Sequence, residues 1–304
     1  MSTPTAPVPL PAEARYTWGG DEFLFVEIDE AMSLAANLRA MAIARGVAAR
    51  KLDGVIDICP ANASLLIRFD PDMLAPDALL ASVRELESAA KDAAGTALAT
   101  RIIEVPVWYD DPFTREVAAR FREGYHQDPG GTDLDFAARV NGLSGADEFI
   151  RRHHERPWIV SMVGFVAGLP FMFQLTEQDQ QLEVPKYLSP RTDTLRLTVG
   201  HGGCFACIYS VRGAGGYQMF GIAAAPIFDP AQSLPDFAQS VVFFRPGDIV
   251  KFRSVDEAEY QAIQAQVSEG TYRYRIAPVE FDAARALADL PGYNATLLGV
   301  LHGR

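Results

Sequence analysis

The second half of the chain is a series of short apolar segments separated by glycine and proline. From Trp158 onward the segments read WIVSMVGFV, LRLTVGH, CFACIYSV, YQMFGIA, VVFFR and DIVKFRS. They are short for helices, and they are rich in the β-branched and aromatic residues that favour strands. Short strands at regular spacing, with turn residues between them, predict a closed β-barrel or a β-sandwich.

Residues 18–100 show a different pattern, in which strands and helices alternate. Strand-like runs occur at Phe23–Ile28, Gly54–Cys59 and Ser64–Phe69, and apolar residues at helical spacing occur at 31–47 and Asp77–Ala90. This β-α-β-β-α order is four-fifths of a ferredoxin-like split βαβ unit. The segment Arg101–Val107 can supply the last strand or cross into the next domain. Gly46 is expected to end the first helix.

These patterns predict an α+β protein of two domains, as a length of 304 residues also suggests. The predicted divisions are a flexible leader at 1–17, a ferredoxin-like domain at 18–100, a β-barrel domain at 101–255, and a C-terminal helix, strand and tail at 256–304. Within the barrel domain, the clearest helices before the strands are Asp135–Val140 and Ala146–His153.

Composition excludes several classes of function. The net charge of −12 makes nucleic-acid binding a poor expectation, because that affinity depends on clustered lysine and arginine. No window approaches the apolar length of a membrane span, and the N-terminus lacks the pattern of a signal peptide. Three cysteines argue against a disulfide framework and for a reducing compartment, so we expect a cytoplasmic protein.

Several phrases occur in the order of a known family. They are GDEFLFVEI, LDGVIDICPANASLLIRFDP, VPVWYDD, NGLS, EFIRRHH, GFVAGLPFM, LSPR, GAGGYQMFG, IFDP and RPGDIVKF. The ordered set resembles the allophanate hydrolase subunit 1 family, which includes the B subunit of bacterial 5-oxoprolinase and the KipI-type kinase inhibitor. The resemblance covers roughly residues 18–255. Relative to the family, the segment Thr114–Thr132 looks longer, and its role is open.

The resemblance implies a fold and a set of partners. It implies an N-terminal ferredoxin-like domain followed by a cyclophilin-like β-barrel. It also implies a paralogous second subunit, similar to allophanate hydrolase subunit 2, with a large ATPase or a biotin carboxylase subunit beside it. This chain has no Walker-type phosphate loop, no biotin-attachment lysine and no nucleophile elbow. We therefore expect it to bind no cofactor itself, and any ATP or biotin to come through partner subunits.

Two residues are candidates for catalysis by this resemblance. His153 ends EFIRRH, where relatives place a histidine after a helix, and a histidine there can shuttle protons or hydrogen-bond a carbonyl. The alternative is a histidine that meets the dipole at a helix C-terminus. Arg191, in the phrase LSPR, could clamp a carboxylate, and a surface salt bridge is the alternative.

Two glycine-containing turns are candidates for substrate binding. GFVAGLPFM resembles a family phrase in which glycines let backbone amides approach a ligand; its candidate residues are Gly164, Phe165, Gly168 and Pro170. The alternative is a tight turn at a barrel rim. In the second turn, Gly215 and Gly216 keep a family Gly-Gly pair, and Tyr217 stands where relatives carry tryptophan.

The strand HGGCFACIYS has lost the polar groups of its relatives. Phe205 and Ala206 replace a Gln-Thr pair, and downstream Ile222 and Ala223 replace an Arg-Thr pair. The Cys-x-x-Cys spacing could serve a metal or a redox site, but on a strand residues three apart face opposite sides, which favours simple packing. Phe205, Tyr217 and Ile222 would suit a less polar or aromatic ligand, if they converge in one pocket. Lost catalysis is the other explanation.

The sequence therefore favours one function and leaves a second open. The favoured function is a subunit of a cytoplasmic, ATP-dependent amide or lactam hydrolase or of a biotin-dependent carboxylase. Its substrate pocket would be shared with the paralogous subunit and would take a substrate less polar than 5-oxoproline. The alternative is a non-enzymatic regulator of the histidine-kinase-inhibitor type. A stand-alone isomerase, suggested by the barrel alone, has weak support.

Overall fold

The computed structural model describes residues 10–91 and 97–303, so the first nine residues of the expected leader lie outside the described part. The chain divides into two compact units. The first unit holds the described residues up to Ala99 together with Glu280–Leu290, and the second holds Thr100–Val279 and the residues from Pro291. No helix in the described ranges is both long enough and apolar enough to cross a bilayer.

The part of the first unit that precedes Ala99 is a four-stranded antiparallel sheet with two helices. Its elements are β1 (Arg15–Gly19), β2 (Phe23–Glu27), α1 (Leu34–Arg50), β3 (Val55–Pro60), β4 (Ser64–Phe69) and α2 (Pro76–Lys91). The strand order is β1-β2-β4-β3. Alternate residues of the two central strands, such as Leu24 and Ile67, are fully buried in one cluster with Ile43 of α1 and Val83 of α2. The period-2 pattern of these strands thus builds the core.

The edge strand beside β2 comes from the start of the chain. Arg15–Gly19 pairs with Phe23–Glu27, and Gly20 adopts a left-handed φ of 63° in the tight turn between them. Residues 101–107, the predicted source of a last strand, instead lie in the other sheet, so the crossing alternative is correct. The β-α-β-β-α order is present, and the ferredoxin-like assignment of this unit stays a prediction.

The first helix does not end at Gly46 as predicted. Helix α1 begins with Ser33, whose side chain accepts the Ala36 N–H, and it continues to Arg50 before Lys51 turns left-handed. A Cβ at Gly46 would lie 2.5 Å from a methyl carbon of Leu86 on α2. The glycine therefore allows the two helices to pack closely, and burial of Ile43, Ala44 and Val47 in the core supports the helix through this position.

The second unit contains a closed barrel of seven strands. In spatial order they are β12 (Gln218–Ala223), β9 (Thr198–Gly202), β10 (Phe205–Ile208), β7 (Pro170–Gln174), β6 (Trp158–Val163), β13 (Ile249–Ser254) and β5 (Ala97–Tyr109). Pairing of Gly221 with Tyr109 brings β12 back to β5 and closes the ring. This confirms the closed-barrel expectation; its cyclophilin-like character stays a prediction. β14 (Arg275–Asp282) continues the sheet beyond β5, and β8 (Arg191–Thr194) pairs with β11 (Gly213–Gly215).

Helices cover the barrel before and after its strands. They are α3 (Pro112–Arg120), α4 (Asp133–Val140), α5 (Ala146–Glu155), α6 (Glu257–Ser268) and α8 (Leu290–Leu301), while α7 (Ala283–Ala288) belongs to the first unit. Asp111, Thr132 and Asp256 cap α3, α4 and α6 through their side chains. Helix α3 begins just before the segment Thr114–Thr132 and continues into it, so the first part of that segment is helical.

The predicted strand VVFFR is not a strand. It forms a single bridge between Val242 and Phe228, and both Phe243 and Phe244 are buried in the core of the second unit. A strand would send two successive side chains to opposite faces. Here Phe243 and Phe244 lie outside any strand and both rings are buried, and apolar composition alone does not distinguish such a segment from a buried strand.

Gly221 is required where the barrel closes. A Cβ at this position would lie 2.5 Å from the Trp108 carbonyl oxygen and 2.8 Å from the Tyr109 Cα. Because these are backbone atoms of the paired strand, Gly221→Ala should lower the free energy of unfolding by about 1–3 kcal/mol. Gly213→Ala, which meets no atom within 4 Å, is the matched control. Chemical denaturation followed by circular dichroism measures both, and equal midpoints for the two variants would contradict the prediction.

Candidate functional site

Neighbouring strands β7 and β10 place aromatic side chains on one face, away from the barrel core. Phe171 pairs with Cys207, and Phe173 pairs with Phe205. The intervening residues, such as Met172, are fully buried in the main core cluster. Because successive side chains alternate, the phenylalanines lie on the opposite face of the sheet.

Three partly exposed rings meet on this face, and we call Phe171, Phe205 and Tyr217 the aromatic face. The Phe171 ring centroid lies 6.4 Å from that of Phe205 and 6.0 Å from that of Tyr217, and both pairs are nearly perpendicular, at 87° and 80°. Such edge-to-face pairs are stabilising and rigid. Beneath them, Leu169, Cys207 and Tyr209 form a small buried cluster. The face is therefore apolar, firmly supported and open to solvent.

The turn Gly164–Gly168 borders the aromatic face. Its Gly164 N–H donates to Leu169 O at 3.0 Å, and Val166 N–H donates to Gly164 O at 2.8 Å. These two amides thus serve the turn itself, and the tight-turn alternative fits them. Phe165 adopts a left-handed φ of 68° and is 72% exposed, and Pro170, which is buried, begins β7. The side chain of Phe165 is the group that this turn presents.

Gly215 of the second turn and Gly202 of β9 leave room for two tyrosine rings. A Cβ on Gly215 would overlap the Tyr209 ring, and a Cβ on Gly202 would overlap the Tyr217 ring. Gly216 accepts the Tyr187 N–H through its carbonyl at 2.8 Å. The predicted binding residues Gly215 and Gly216 therefore act here by letting rings and backbone approach closely.

Arg191 is fully buried and bonded to neutral groups. Its Nη1 donates to the Tyr217 carbonyl at 2.8 Å, and Nε and Nη2 each lie 3.3 Å from Thr194 Oγ1. The guanidinium also lies over the Tyr187 ring, 4.4 Å from its centroid. The surface-salt-bridge alternative is wrong, and the carboxylate-clamp expectation is not supported, because the donors are engaged inside the protein. Arg191 positions Tyr217 instead.

Lys186 is an exposed cation beside the aromatic face. Its ammonium lies 5.2 Å from the centroid of the Tyr217 ring. Unlike the buried Arg191, this side chain is reached by solvent. A ligand on the aromatic face would thus meet apolar rings with a positive charge at their edge.

His153 lies in the barrel core, apart from the aromatic face. Nδ1 lies 2.9 Å from the Tyr109 hydroxyl oxygen, and the ring stacks on Phe252 with centroids 5.0 Å apart. Its carbonyl accepts the Trp158 Nε1–H at 2.9 Å. Burial, and then the neighbouring His201, lower the pKa of His153 well below its ordinary value. A side chain with no exposed surface cannot meet a substrate, so the catalytic expectation for His153 is not supported.

Ile222 also lies in the core. It joins Phe220 and Val199 in the main cluster, whereas Tyr217 lies on the other face. Tyr217 precedes β12 and packs against the small cluster of Leu169, Cys207 and Tyr209, so its ring and the Ile222 side chain lie in separate apolar clusters. The structure thus brings Phe205, Tyr217 and the backbone anchor of Arg191 together and separates Ile222 from them, which corrects the expectation of one shared pocket.

The two cysteines beside the aromatic face are poor nucleophiles. Cys207 is buried against Leu169 and Tyr209, and burial raises its pKa to about 12. Burial also raises the pKa of Cys204 to about 11. A thiol with a raised pKa stays protonated at neutral pH. Among the described residues, no group of three or more His, Cys, Asp or Glu side chains has the arrangement of a metal site.

The family of the chain follows from a match along most of its length. Residues 14–238 match the family model described as "Carboxyltransferase domain, subdomain C and D". The chain belongs to this family. The resemblance stated from the sequence phrases is thereby confirmed.

Relatives of this carboxyltransferase domain are parts of larger proteins and separate subunits. A urea amidolyase of Saccharomyces cerevisiae is 26% identical over 276 residues, which are 90% of this chain and 15% of that protein. The chain thus spans about 15% of the length of the urea amidolyases that it matches. The B subunit of the Bacillus subtilis 5-oxoprolinase is 26% identical over 255 residues, covering 81% of this chain and 95% of the relative.

Solved structures share the fold of this carboxyltransferase domain. A urea carboxylase of Kluyveromyces lactis superposes with a TM-score of 0.80 at 22% identity, covering 98% of this chain and 27% of that one. A urea amidolyase structure gives a TM-score of 0.81 at 23% identity, again over 98% of this chain and over 18% of the larger one. The fold of the described residues is therefore that of part of these enzymes.

Sequence reasoning missed residues that build the site of this carboxyltransferase domain. The phrase GFVAGLPFM contains Phe171 without marking it as a site residue, although the alternation in PFMF places it on the same face as Phe173, which pairs with Phe205. Asp133 stands outside every family phrase. It accepts the Tyr187 hydroxyl at 2.9 Å and the Met219 N–H at 2.7 Å, and it pairs with Arg122. A start-of-helix aspartate gives no sign that it will be buried, so the sequence carried no signal for this network.

Proposed function

We propose that this chain is one subunit, or one lobe, of an ATP-dependent amide or lactam hydrolase or of a biotin-dependent carboxylase. Membership in the carboxyltransferase family supports this class. Relatives named as the B subunit of 5-oxoprolinase support a multi-subunit assembly, and relatives named urea amidolyase support a fused one. The expected partner is a paralogous second subunit, which completes the substrate pocket, with ATP or biotin bound by further subunits in the cytoplasm.

The aromatic face supports a substrate with an apolar part. Three partly exposed rings stand over a buried apolar cluster, and the nearby guanidinium of Arg191 is used inside the protein. Apolar surface gains about 25 cal/mol per Å² when a ligand covers it. Polar lactams gain little there, since unpaired amide groups lose hydrogen bonds to water. We therefore assign an amide or lactam with an apolar or aromatic substituent.

Each residue of the site then has a defined role. Phe171, Phe205 and Tyr217 bind the apolar part of the substrate, and Lys186 attracts an anionic group at the edge. Arg191 is a positioning residue, because it holds the carbonyl of Tyr217. Groups that touch the reacting amide come from the partner subunit.

The first test of this function is isolation of the native assembly. The full chain, tagged and expressed in its own cells, should co-purify in fixed stoichiometry with a subunit related to the second half of the carboxyltransferase domain. A histidine kinase in place of that subunit would support the regulator instead.

The second test is a change in substrate preference of that assembly. ATP-dependent hydrolysis is measured with a phenyl-substituted pyrrolidinone and with 5-oxoproline. Tyr217→Ala should raise KM for the phenyl substrate about tenfold, because one stacked ring contributes about 1 kcal/mol or more. Phe205→Gln should shift the kcat/KM ratio toward 5-oxoproline. Phe113→Ala, an exposed ring of α3, is the control. Unchanged ratios in both site variants would refute the assigned substrate class.

A further inference from the structure

The barrel unit contains a cavity whose lining includes no residue of the aromatic face. It has a volume of about 220 Å³ and lies between α3, the start of α4 and strand β12. At about 30 Å³ for each water molecule in liquid, this volume corresponds to roughly seven waters. That is small for a cofactor or nucleotide, whose pockets measure about 300–1,000 Å³. The cavity suits a small metabolite.

The floor of the cavity is apolar and closely packed. Leu134, Met219 and Phe220 line it, and each is at most 4% exposed. Ala118 of α3 also lines the cavity, and its small side chain takes up little of the space. This part of the cavity would accept a branched or aromatic hydrocarbon group and no charged one.

The mouth of the cavity carries two opposite charges. Asp110, at the end of β5, and Arg115, on α3, lie 3.5 Å apart between Oδ1 and Nε, and both side chains remain about half exposed. Partial burial and the neighbouring carboxylates Asp135 and Asp147 raise the pKa of Asp110, with Arg115 opposing them. The mouth thus presents one carboxylate and one guanidinium side by side, both within reach of solvent.

The other two charged residues that line the cavity, Arg122 and Asp133, form a buried ion pair, whereas the Asp110–Arg115 pair is half exposed. Arg122 pairs with Asp133 and also donates to the Gly131 carbonyl. The carboxylate of Asp133 accepts the Tyr187 hydroxyl and the Met219 N–H as well. Two carboxylates are among the described lining residues, and only the half-exposed Asp110 could turn toward a ligand. A hard metal cation does not fit this site, because such cations require several oxygen ligands.

We propose that this cavity binds a free α-amino acid with an apolar side chain. Its ammonium group contacts Asp110, its carboxylate contacts Arg115, and its side chain lies on Leu134, Met219 and Phe220. The two head groups of a zwitterion match the paired charges at the mouth, and the hydrocarbon matches the floor. The segment Thr114–Thr132, to which the proposed function gives no role, supplies one wall of this site.

Isothermal titration calorimetry of the full chain with L-leucine tests the proposal. Saturable binding of L-leucine is expected. L-leucinamide lacks the carboxylate, and the corresponding carboxylic acid lacks the ammonium group, so each should bind at least tenfold more weakly. The absence of saturable heat at millimolar L-leucine, or equal affinity for all three compounds, would overturn the proposal.

Variants locate the binding in this cavity. Arg115→Ala should weaken L-leucine binding at least tenfold, whereas Arg120→Ala, on the same helix but paired with Asp193, should leave it unchanged. Ala118→Leu should abolish binding by filling the cavity, with circular dichroism as the check on folding. If that variant does not fold, the contrast between the two arginine variants decides. Equal affinity of Arg115→Ala and the wild-type chain would place the amino acid elsewhere.

Discussion

Replacing Asp133 by alanine should lower the free energy of unfolding by about 3–5 kcal/mol, the usual cost of removing one partner from a buried ion pair. Asp133 is 2% exposed, and it joins three elements. It accepts the Tyr187 hydroxyl at 2.9 Å and the Met219 N–H at 2.7 Å, and it lies 2.5 Å from Arg122 Nη1. Alanine would leave the Tyr187 hydroxyl and the Met219 amide without this acceptor and would remove the carboxylate partner of Arg122.

The effect should extend to the aromatic face. Tyr187 lies under the guanidinium of Arg191, which in turn holds the carbonyl of Tyr217. Loss of the Asp133 contact frees the Tyr187 ring and loosens this support. We therefore expect the Asp133→Ala variant also to lose affinity for an apolar substrate at temperatures where it remains folded.

Matched variants separate the buried network from charge alone. Urea denaturation followed by circular dichroism measures stability. Asp147→Ala removes an exposed carboxylate from the first turn of α5 and should cost less than about 1 kcal/mol. Asp133→Asn keeps one acceptor oxygen and should fall between the two. If Asp133→Ala and Asp147→Ala unfold at the same denaturant concentration, the network does not have the assigned role.

The sequence could predict elements whose apolar spacing is regular. Strands such as Ser64–Phe69 and the helix that became α6 were predicted correctly, because alternation and helical spacing record which face is buried. The edge strand Arg15–Gly19 was missed, since four of its five residues are exposed and its pattern carries no buried face. The strand prediction for Val241–Arg245 was wrong for the opposite reason. The rings of Phe243 and Phe244 are buried, but the backbone there forms no strand.

The candidate site was predictable only in part. Phe205 and Tyr217 could be identified because each stands at a position where relatives carry a different residue. The burial of His153 and Arg191 was not predictable, because a charged or titratable residue is usually at the surface. Here partners distant in sequence, Tyr109 for His153 and Tyr217 for Arg191, satisfy them inside the protein. Only the tertiary structure brings these partners together.

Acid should destabilise the barrel through two buried histidines. His153 and His201 are fully buried with ring centroids 5.9 Å apart, and no carboxylate hydrogen-bonds either ring in the described part of the chain. Burial lowers the pKa of His201 to about 4, and burial together with His201 lowers that of His153. The packing of Trp158, Phe220 and Phe252 around the rings leaves the charged forms without solvent.

The direction of the pH dependence follows from these lowered values. In the unfolded chain each histidine takes up a proton near pH 6.5, whereas in the folded chain it stays neutral to a lower pH. Below about pH 6.5 the unfolded state therefore binds more protons, and stability falls as pH decreases. The stability is fully present above pH 6.5 and is lost progressively toward pH 4. For His201 alone the loss is about 3 kcal/mol, at about 1.4 kcal/mol per pH unit.

His201→Phe should reduce the slope of the unfolding free energy against pH by the contribution of one proton. The absolute stability at pH 7 can change in the variant, because the Leu182 carbonyl loses its contact with Nε2, but the slope reports only proton uptake. Urea denaturation at intervals between pH 7 and pH 4.5 gives the slope for each protein. His302→Gln, which removes an exposed histidine near the end of α8, should keep the wild-type slope. A wild-type slope in His201→Phe would mean that His201 takes up its proton at the same pH in the folded and unfolded chains, which would contradict its lowered pKa.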